Sequence, residues 1–487
     1  MFIQIFTALY VVYYVTTYFL NKSRYPKGPM PLPIVGNFPQ IAFEMWKCKG
    51  IVNALISYKK KYGKMYTLWF GPMPTVHIVD YDLAKEQMVK HGSDYTNRFT
   101  PKIQLSQREG LGIVLNDGPV WLEHRRFALQ TLRNFGLGKN VMETIIMEEF
   151  NHSGKEYMNA VVFFDVLVGN VINQLLFAER FPEDSKEFWE MKKMFEKQIE
   201  NLSIFDALAP FWLMESPLLN WRFKRIQEPD VYAKNFIKKK VDRRMDQIRN
   251  GNRNPSEDAK DFTDAYFRKM EEDKEAGVET TFTVDHLIID LVDLWGAGQE
   301  TTTSTLTWAA ALLLKNPEYI EKIYQEVLEV TNGERHLGLA DRAATPLLNA
   351  TIHETQRHAS LVNLNFFRRT VKEQIIEEYR IPAGVPITAQ ISVIMADNEF
   401  FVDSDKFDPT RYLKDEHLTD RVLPFGMGKR ACLGEALARA ELYLILGNFL
   451  LNYDLKPHGR LPETTVINDT GVFKAAPQFE CSFVPRK

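Results

Sequence analysis

The stretch Phe425-Gly426-Met427-Gly428-Lys429-Arg430-Ala431-Cys432-Leu433-Gly434 constrains this 487-residue chain more than any other. It sets one cysteine among glycines and basic residues, directly ahead of Glu435-Ala436-Leu437-Ala438-Arg439-Ala440-Glu441, a run of strong helix formers. Cys432 therefore stands just before a helix N-terminus, where unpaired N–H groups and the helix dipole favour negative charge. A cysteine binds metal as the thiolate, so a metal site here needs a lowered pKa, with Arg430 as the expected cation. Gly428 permits a turn that a β-carbon hinders, Gly434 lets backbone approach a flat ligand, and Phe425 is expected to shield the sulfur from water. The competing assignment is a buried structural cysteine in a glycine-rich loop.

Length and charge bound the rest. No linker rich in Pro, Gly and Ser divides the middle of the chain and no internal repeat is visible, so residues 41–487 are expected to form one large unit. The net charge of −3 offers no reason to propose nucleic-acid binding. Three cysteines, Cys48, Cys432 and Cys481, do not make a disulfide framework and suit a reducing compartment.

Residues 1–20 are largely apolar and uncharged, about long enough to cross a bilayer as a helix. A signal peptide would need a basic start and a small-x-small cleavage site, and both are missing. Lys22, Arg24 and Lys27 follow, so an uncleaved transmembrane anchor with the body on the cytosolic side is expected. The triplet at Asn151 should then stay unglycosylated. Residues 21–40 read as a basic and proline-rich hinge, stiff and extended.

Further along, 53–62 reads as a helix and 64–79 as a hairpin around Gly71-Pro72. Trp121 and Arg125, at i and i+4, share a helix face. Arg126, Arg133 and Lys139 continue a basic run, either a solvated face or a docking surface. Two helical patterns over 181–225 flank an apolar loop with Ile204, Phe205 and Trp221, whereas 250–281 is polar and expected to hold short helices at most. Residues 283–315 form a long helix whose centre contains Asp293, Trp295, Gly296, Ala297, Gly298, Gln299, Glu300 and Thr301. Its two glycines each cost about 1 kcal/mol against alanine, which calls for a reason. Thr301 lies four residues after Ala297, so both face one site. Glu354 and Arg357, at i and i+3, share a face of another helix, and Arg411 follows in Phe407-Asp408-Pro409-Thr410-Arg411-Tyr412.

Taken in this order, the cysteine loop, Trp-x-x-x-Arg, Ala-Gly-x-x-Thr, Glu-x-x-Arg and the distant Arg411 resemble the cytochromes P450, haem-thiolate monooxygenases, and most closely the microsomal branch that oxidises drugs, steroids and fatty acids. The resemblance implies a mainly α fold with small β-sheets (α+β), preceded by the transmembrane helix, in the endoplasmic reticulum membrane with the catalytic domain on the cytosolic face. It implies haem b (iron protoporphyrin IX) with Cys432 as axial ligand to the iron, a ligand that favours O–O cleavage. Arg98, Trp121, Arg125, Arg368 and Arg430 would reach the haem propionates, and Phe425 and Gly434 would pack on the ring. Ala297 and Gly298 would leave room for O2 where the helix locally opens, Thr301 would hydrogen-bond the bound oxygen, and Glu300 would relay protons as a general acid. Glu354, Arg357 and Arg411 would form a buried network fixing the segment before the cysteine loop.

Phe99, Trp295, Phe366, Phe367 and Phe473 would make an apolar pocket for a lipophilic small molecule. Asp293 would either anchor a basic substrate nitrogen or, the preferred reading, hydrogen-bond the backbone of the loop over 99–115. Electrons would come from NADPH through NADPH-cytochrome P450 reductase, a flavoprotein, with cytochrome b5 as a further donor; the 126–139 basic run would be the docking face. Asn363, Thr410 and Arg368 depart from the branch's usual residues without touching the ligand or oxygen chemistry. The rival functions are a haem-thiolate isomerase or dehydratase and a non-enzymatic haem gas sensor, neither of which uses a Glu300–Thr301 pair.

Overall fold

The computed structural model describes residues 2–21, 24–33, 35–100, 108–135, 140–153, 160–182, 184–201, 206, 214–464 and 471–486. The long helix runs over Val284–Lys315 and forms the spine. Thr283 starts it, its Oγ1 accepting from the His286 N–H at 3.2 Å. Asn316 ends it, and Pro317 opens the next helix, Pro317–Thr331. Most of the spine is buried because helices Ala160–Phe177, Asn220–Arg249, Pro346–Ala359 and Glu435–Asn452 pack around it. The Ala160–Phe177 helix is apolar nearly all round, which suits a helix enclosed on every side. Phe163, Phe164, Phe449 and Trp308 lie in the large core built between these helices.

The sheets are small and sit beside this helical body. Strands β1 (Met65–Phe70) and β2 (Met73–Ile78) form the expected antiparallel hairpin. With β3 (Asn97–Arg98), β4 (Arg368–Arg369) and β7 (Pro386–Ala389) they make a five-stranded sheet ordered β1-β2-β7-β4-β3, in which only β2 and β7 run parallel. Strands β5 (Gln374–Ile376) and β6 (Tyr379–Ile381) form one further hairpin, and β8 (Tyr453–His458) and β9 (Glu480–Pro485) another. The fold is mainly helical with small sheets, as expected. The pairing of β3 with β4 sets Arg98 opposite Arg368, residues far apart in the chain.

Three expectations are corrected. Residues Phe2–Asn21 form a helix, but among the described residues no helix is long and apolar enough to cross a membrane. Gln4 and the many Thr and Tyr hydroxyls dilute its apolarity, and Tyr18 packs edge-on against Trp69 of the body, ring centroids 5.5 Å apart. The proline-rich segment is tied to the body: Asn37 donates to the Pro29 carbonyl at 3.2 Å and accepts from the Trp69 N–H at 2.7 Å, and a β-carbon on Gly28 would meet the Thr67 carbonyl oxygen at 2.0 Å. The polar stretch over 250–281 contains a full helix, Phe262–Glu275, capped by Asp261. Its charges are absorbed by Arg244 and Arg253, which bind Asp261 and Asp264, while Phe262 and Tyr266 face the core. Finally, the spine helix is continuous and shows no local opening at Ala297. The apolar loop with Ile204 and Phe205 lies outside the described residues, as does Lys139.

Candidate active site

The cysteine loop folds back on itself. The Cys432 N–H donates to the Phe425 carbonyl at 2.8 Å, and the Ala431 N–H to that of Gly428 at 2.9 Å. Gly426 and Gly428 sit at φ of 69° and 71°, and a β-carbon on Gly428 would lie 1.8 Å from the Met88 carbonyl oxygen, so glycine is required there. The loop thus presents the Cys432 thiol to a cavity of about 440 Å³, and the place of a β-carbon on Gly434 is open space. Burial pushes the thiol above its ordinary value, offset in part by the Gly434 N–H and the Arg125 charge. This corrects the sequence expectation twice. The residues around the sulfur do not by themselves lower this pKa; a bound metal ion would. The cation acting on the sulfur is Arg125, because Arg430 is turned away to donate to the Thr96 carbonyl at 2.7 Å and the Asn116 carbonyl at 2.8 Å.

Arg98, Arg125, Arg368 and Arg430 all line this cavity. Burial and mutual repulsion depress Arg98 to about 9, Arg368 to about 10 and Arg430 to about 8, so all stay charged at neutral pH. Nη1 of Arg368 and Nη1 of Arg430 are buried without a hydrogen-bond partner. Buried N–H donors left unpaired are costly, and so is a cluster of cations facing an empty wall. A dianionic ligand beside the cysteine resolves both, and the two carboxylates of haem b fit that demand. Trp121 is different: its ring N–H donates to the Ile113 carbonyl at 3.0 Å, its face carries the Arg430 guanidinium 3.4 Å away, and it does not line the cavity. It supports Arg430 rather than offering a donor to the ligand.

Ala297 and Thr301, both exposed, line the same cavity as the sulfur, and so does Glu300. The Thr301 hydroxyl donates to the Ala297 carbonyl one turn back at 2.8 Å, an arrangement that keeps it on the cavity side. The two glycines have a packing reason that the motif did not disclose. A β-carbon on Gly296 would strike the Phe195 ring at 2.3 Å, and one on Gly298 the Ile172 side chain at 2.9 Å. Glu300 carries the larger surprise. Lys192, from the helix Lys186–Asn201, places Nζ 3.3 Å from Glu300, 3.0 Å from Asp165 and 3.2 Å from Glu196. Burial raises the Glu300 carboxyl to about 7 even though Lys192 pulls it down, and burial likewise raises Asp165 to about 6. Lys192 gave no signal in the sequence, since one lysine among many in a charged helix is unremarked.

Glu354 is fully buried and accepts from Arg357 Nε at 2.8 Å and Nη2 at 2.9 Å, Arg411 Nε at 3.2 Å, the Tyr412 hydroxyl at 2.9 Å and the Asp408 N–H at 3.0 Å. The predicted three-residue network therefore exists, with Tyr412 as an unforeseen fourth side chain. Asp293 accepts from the Ile113 and Val114 N–H groups at 2.9 Å each and pairs with Arg108, which also meets Asp230 at 3.3 Å. The loop-anchoring reading of Asp293 is the one the geometry matches. Of the expected pocket aromatics, Phe366 and Phe473 line the cavity, whereas Phe99, Trp295 and Phe367 do not. Trp295 is fully buried against Phe195, ring centroids 5.3 Å apart, and Phe367 packs between His77 and Phe99. Phe195 and Ile113 join the wall instead.

Comparison with known proteins agrees with this geometry. The family model of cytochrome P450 matches residues 26–483. A probable cytochrome P450, cyp-35D1, of Caenorhabditis elegans is 40% identical over 453 residues, 90% of this chain and 90% of that protein. Cytochrome P450 2C14 of Oryctolagus cuniculus is 32% identical over 485 residues, 95% of this chain and 94% of its own length, and cytochrome P450 2C28 of Mesocricetus auratus is 32% identical over 491 residues, 96% and 95%. With a thiol and the unpaired guanidinium donors of Arg368 and Arg430 around one cavity, and relatives along nearly its whole length, this chain belongs to the cytochrome P450 family of haem-thiolate monooxygenases.

Proposed function

We infer that this chain inserts one oxygen atom of O2 into a lipophilic small molecule, a xenobiotic, steroid or fatty acid, while the other atom leaves as water with two electrons and two protons. The carrying observation is that Cys432, four arginines, Thr301 and Glu300 line one and the same cavity. Haem b bound at Cys432 would supply oxygen activation, which a thiolate ligand favours. The chain's own residues do the rest. Arg368 and Arg430 would hold the propionates through their free N–H groups, Arg98 adds its charge beside them, and Arg125 stands beside the sulfur. Glu300, near 7, can give and regain a proton at neutral pH, and the Thr301 hydroxyl next to it carries that proton at the cavity surface. Lys192 and Asp165 set the carboxyl's charge state from behind. Phe195, Phe366 and Phe473 exclude water and favour an apolar substrate.

Electrons are assigned to NADPH through a flavoprotein reductase, with cytochrome b5 as a second donor. Arg126, Arg133 and Lys429 are exposed and offer an acidic partner a basic face. Membrane association is assigned to a surface rather than to a span. Phe6, Leu9 and Val12 on the first helix, and Phe43 and Trp46 on Phe38–Cys48, are exposed apolar side chains. This surface would hold the catalytic unit, residues 41–487, on the cytosolic face of the endoplasmic reticulum, leaving Asn151 unglycosylated. The test is the CO difference spectrum of the reduced, detergent-purified protein. A strongly red-shifted Soret band that Cys432→Ala abolishes is expected, followed by substrate-dependent NADPH consumption with the reductase. Well-folded protein that takes up no haem would refute the assignment.

A further inference from the structure

Arg108 lines the cavity, but its guanidinium is spent on two carboxylates from two different helices. It pairs with Asp293 of the spine and meets Asp230 of the helix Asn220–Arg249 at 3.3 Å. Gln198, from the helix Lys186–Asn201, also lines the cavity and donates to the same Asp230 oxygen at 3.0 Å. The side chains of Arg108, Asp230 and Asp293 are 11%, 12% and 3% exposed, so these charges are held out of water and separate only at a cost. Four segments thus close on one cluster in the cavity wall.

The segment that carries Arg108 is pressed onto the spine. Asp293 Oδ2 accepts from the Ile113 and Val114 N–H groups, and a β-carbon on Gly112, which sits at φ 95°, would lie 2.6 Å from that same oxygen. Its contact with Asn220–Arg249 is ionic. Besides Arg108–Asp230 there is an exposed pair, Glu109 with Lys234 at 3.9 Å, which adds little.

The helix Asn220–Arg249 has a weak point beside this cluster. Pro229 lies within it and has no N–H for the Arg225 carbonyl, so a helical hydrogen bond is missing directly before Asp230. The two halves of the helix also belong to different cores. Ile226, before the proline, is buried with Ile41, Met45 and Phe70 beside the sheet. Ala233, Phe236 and Ile237, after it, are buried in the large helical core. A bend at Pro229 shifts one core against the other with little loss inside either, and the Arg108–Asp230 contact stands in its way.

We propose that Arg108, Asp230 and Asp293 form an ionic latch in the cavity wall, and that bending of the helix Asn220–Arg249 at Pro229 releases it to admit bulky lipophilic ligands, while small ones pass without it. This deepens the proposed function by assigning access to the same cavity, and rests on that reading for the kind of ligand admitted.

The test uses the full-length, haem-loaded protein and two ligands that bind haem iron through an imidazole ring, imidazole itself and the bulky clotrimazole, followed by stopped-flow absorbance. Asp230 does not line the cavity. Asp230→Ala should speed clotrimazole association and dissociation by about tenfold, leave the imidazole rates unchanged and give the wild-type CO band. Pro229→Ala, which restores the helical N–H, should slow clotrimazole in both directions. Clotrimazole rates unmoved in either variant, or an equal acceleration of both ligands, overturn the proposal, and Pro229→Ala alone decides it if Asp230→Ala fails to fold. Hydrogen exchange, which needs no haem, separates this outcome from a failure of the haem assignment. Exchange over residues 108–115 and 220–228 should quicken together in Asp230→Ala, and quickening of neither segment, or of one alone, overturns the latch even in protein without haem.

Discussion

Glu354→Ala is the perturbation with the most to say about how this chain receives its cofactor. The carboxylate is fully buried and accepts from Arg357, Arg411, Tyr412 and the Asp408 N–H. The two guanidinium groups in turn stitch the chain leading toward the cysteine loop: Arg357 donates to the Met395 carbonyl at 3.2 Å and the Ser404 carbonyl at 2.7 Å, and Arg411 to those of Val402 at 2.9 Å and Lys406 at 3.1 Å. Removing one partner of a buried ion pair costs about 3–5 kcal/mol. The orphaned Tyr412 hydroxyl and Asp408 N–H add roughly 1–3 kcal/mol each. The total, on the order of 5–11 kcal/mol, rivals the whole stability of a typical domain.

The same arithmetic predicts a graded series. Glu354→Gln keeps an acceptor oxygen and the shape, and should keep part of the haem; Glu354→Ala should give protein with little or none. Haem per polypeptide, the CO band and the urea unfolding midpoint measure this. An alanine variant with wild-type haem content and an unchanged midpoint would refute the reasoning. The sign against pH follows from the same contacts. Burial acts to raise Glu354, but Arg357 outweighs it and the carboxyl lies below its ordinary 4.5. The network's contribution is therefore present above about pH 4.5 and lost as pH falls through the folded value.

Glu441 should behave in the opposite way. Burial pushes it up to about 8, with the Thr302 hydroxyl at 3.3 Å as its hydrogen-bond donor. Stability from this group is full below its ordinary 4.5 and is lost as pH rises through about 8; at 1.36 kcal/mol per pH unit the interval amounts to roughly 5 kcal/mol. Glu441→Gln should flatten the dependence, so that urea midpoints at acid and alkaline pH draw together, and an unchanged slope would count against the assignment. Lys192→Met removes the cation that holds Glu300 down, and should move the pH profile of turnover upward, with Lys192→Arg restoring it; a profile that does not move would separate Lys192 from the proton route. Asp293→Ala leaves the buried Ile113 and Val114 N–H groups without an acceptor, a loss of about 1–3 kcal/mol each, and hydrogen exchange over residues 108–115 should quicken while exchange in the helix Pro317–Thr331 stays as it was.

Local chemistry carried most of the fold class and the sulfur ligand. The helix over 284–315 was legible because Thr283, an apolar run and Pro317 mark its ends and its period. Cys432 and its glycines were legible because a tight turn ahead of a helix leaves few choices of residue. Glu354, Arg357 and Arg411 were legible as a pattern, although only the packing of Pro346–Ala359 beside Tyr412 shows how many hydrogens one carboxylate takes. The helix Phe262–Glu275 was missed because its polarity is matched by Arg244 and Arg253, which pattern reading cannot pair in advance.

What only the tertiary structure decided are the effects that depend on distance between residues remote in sequence. These include the donors left free on Arg368 and Arg430, the lysine behind Glu300, the retreat of Trp121 and Trp295 from the cavity, and the meeting of Arg108 with Asp230 and Asp293. A sequence determines which groups a chain owns and how each short segment prefers to turn. Whether a charge is buried, a donor unpaired or a lone pair opposed is settled only when helices cross, because those energies fall off within a few ångströms.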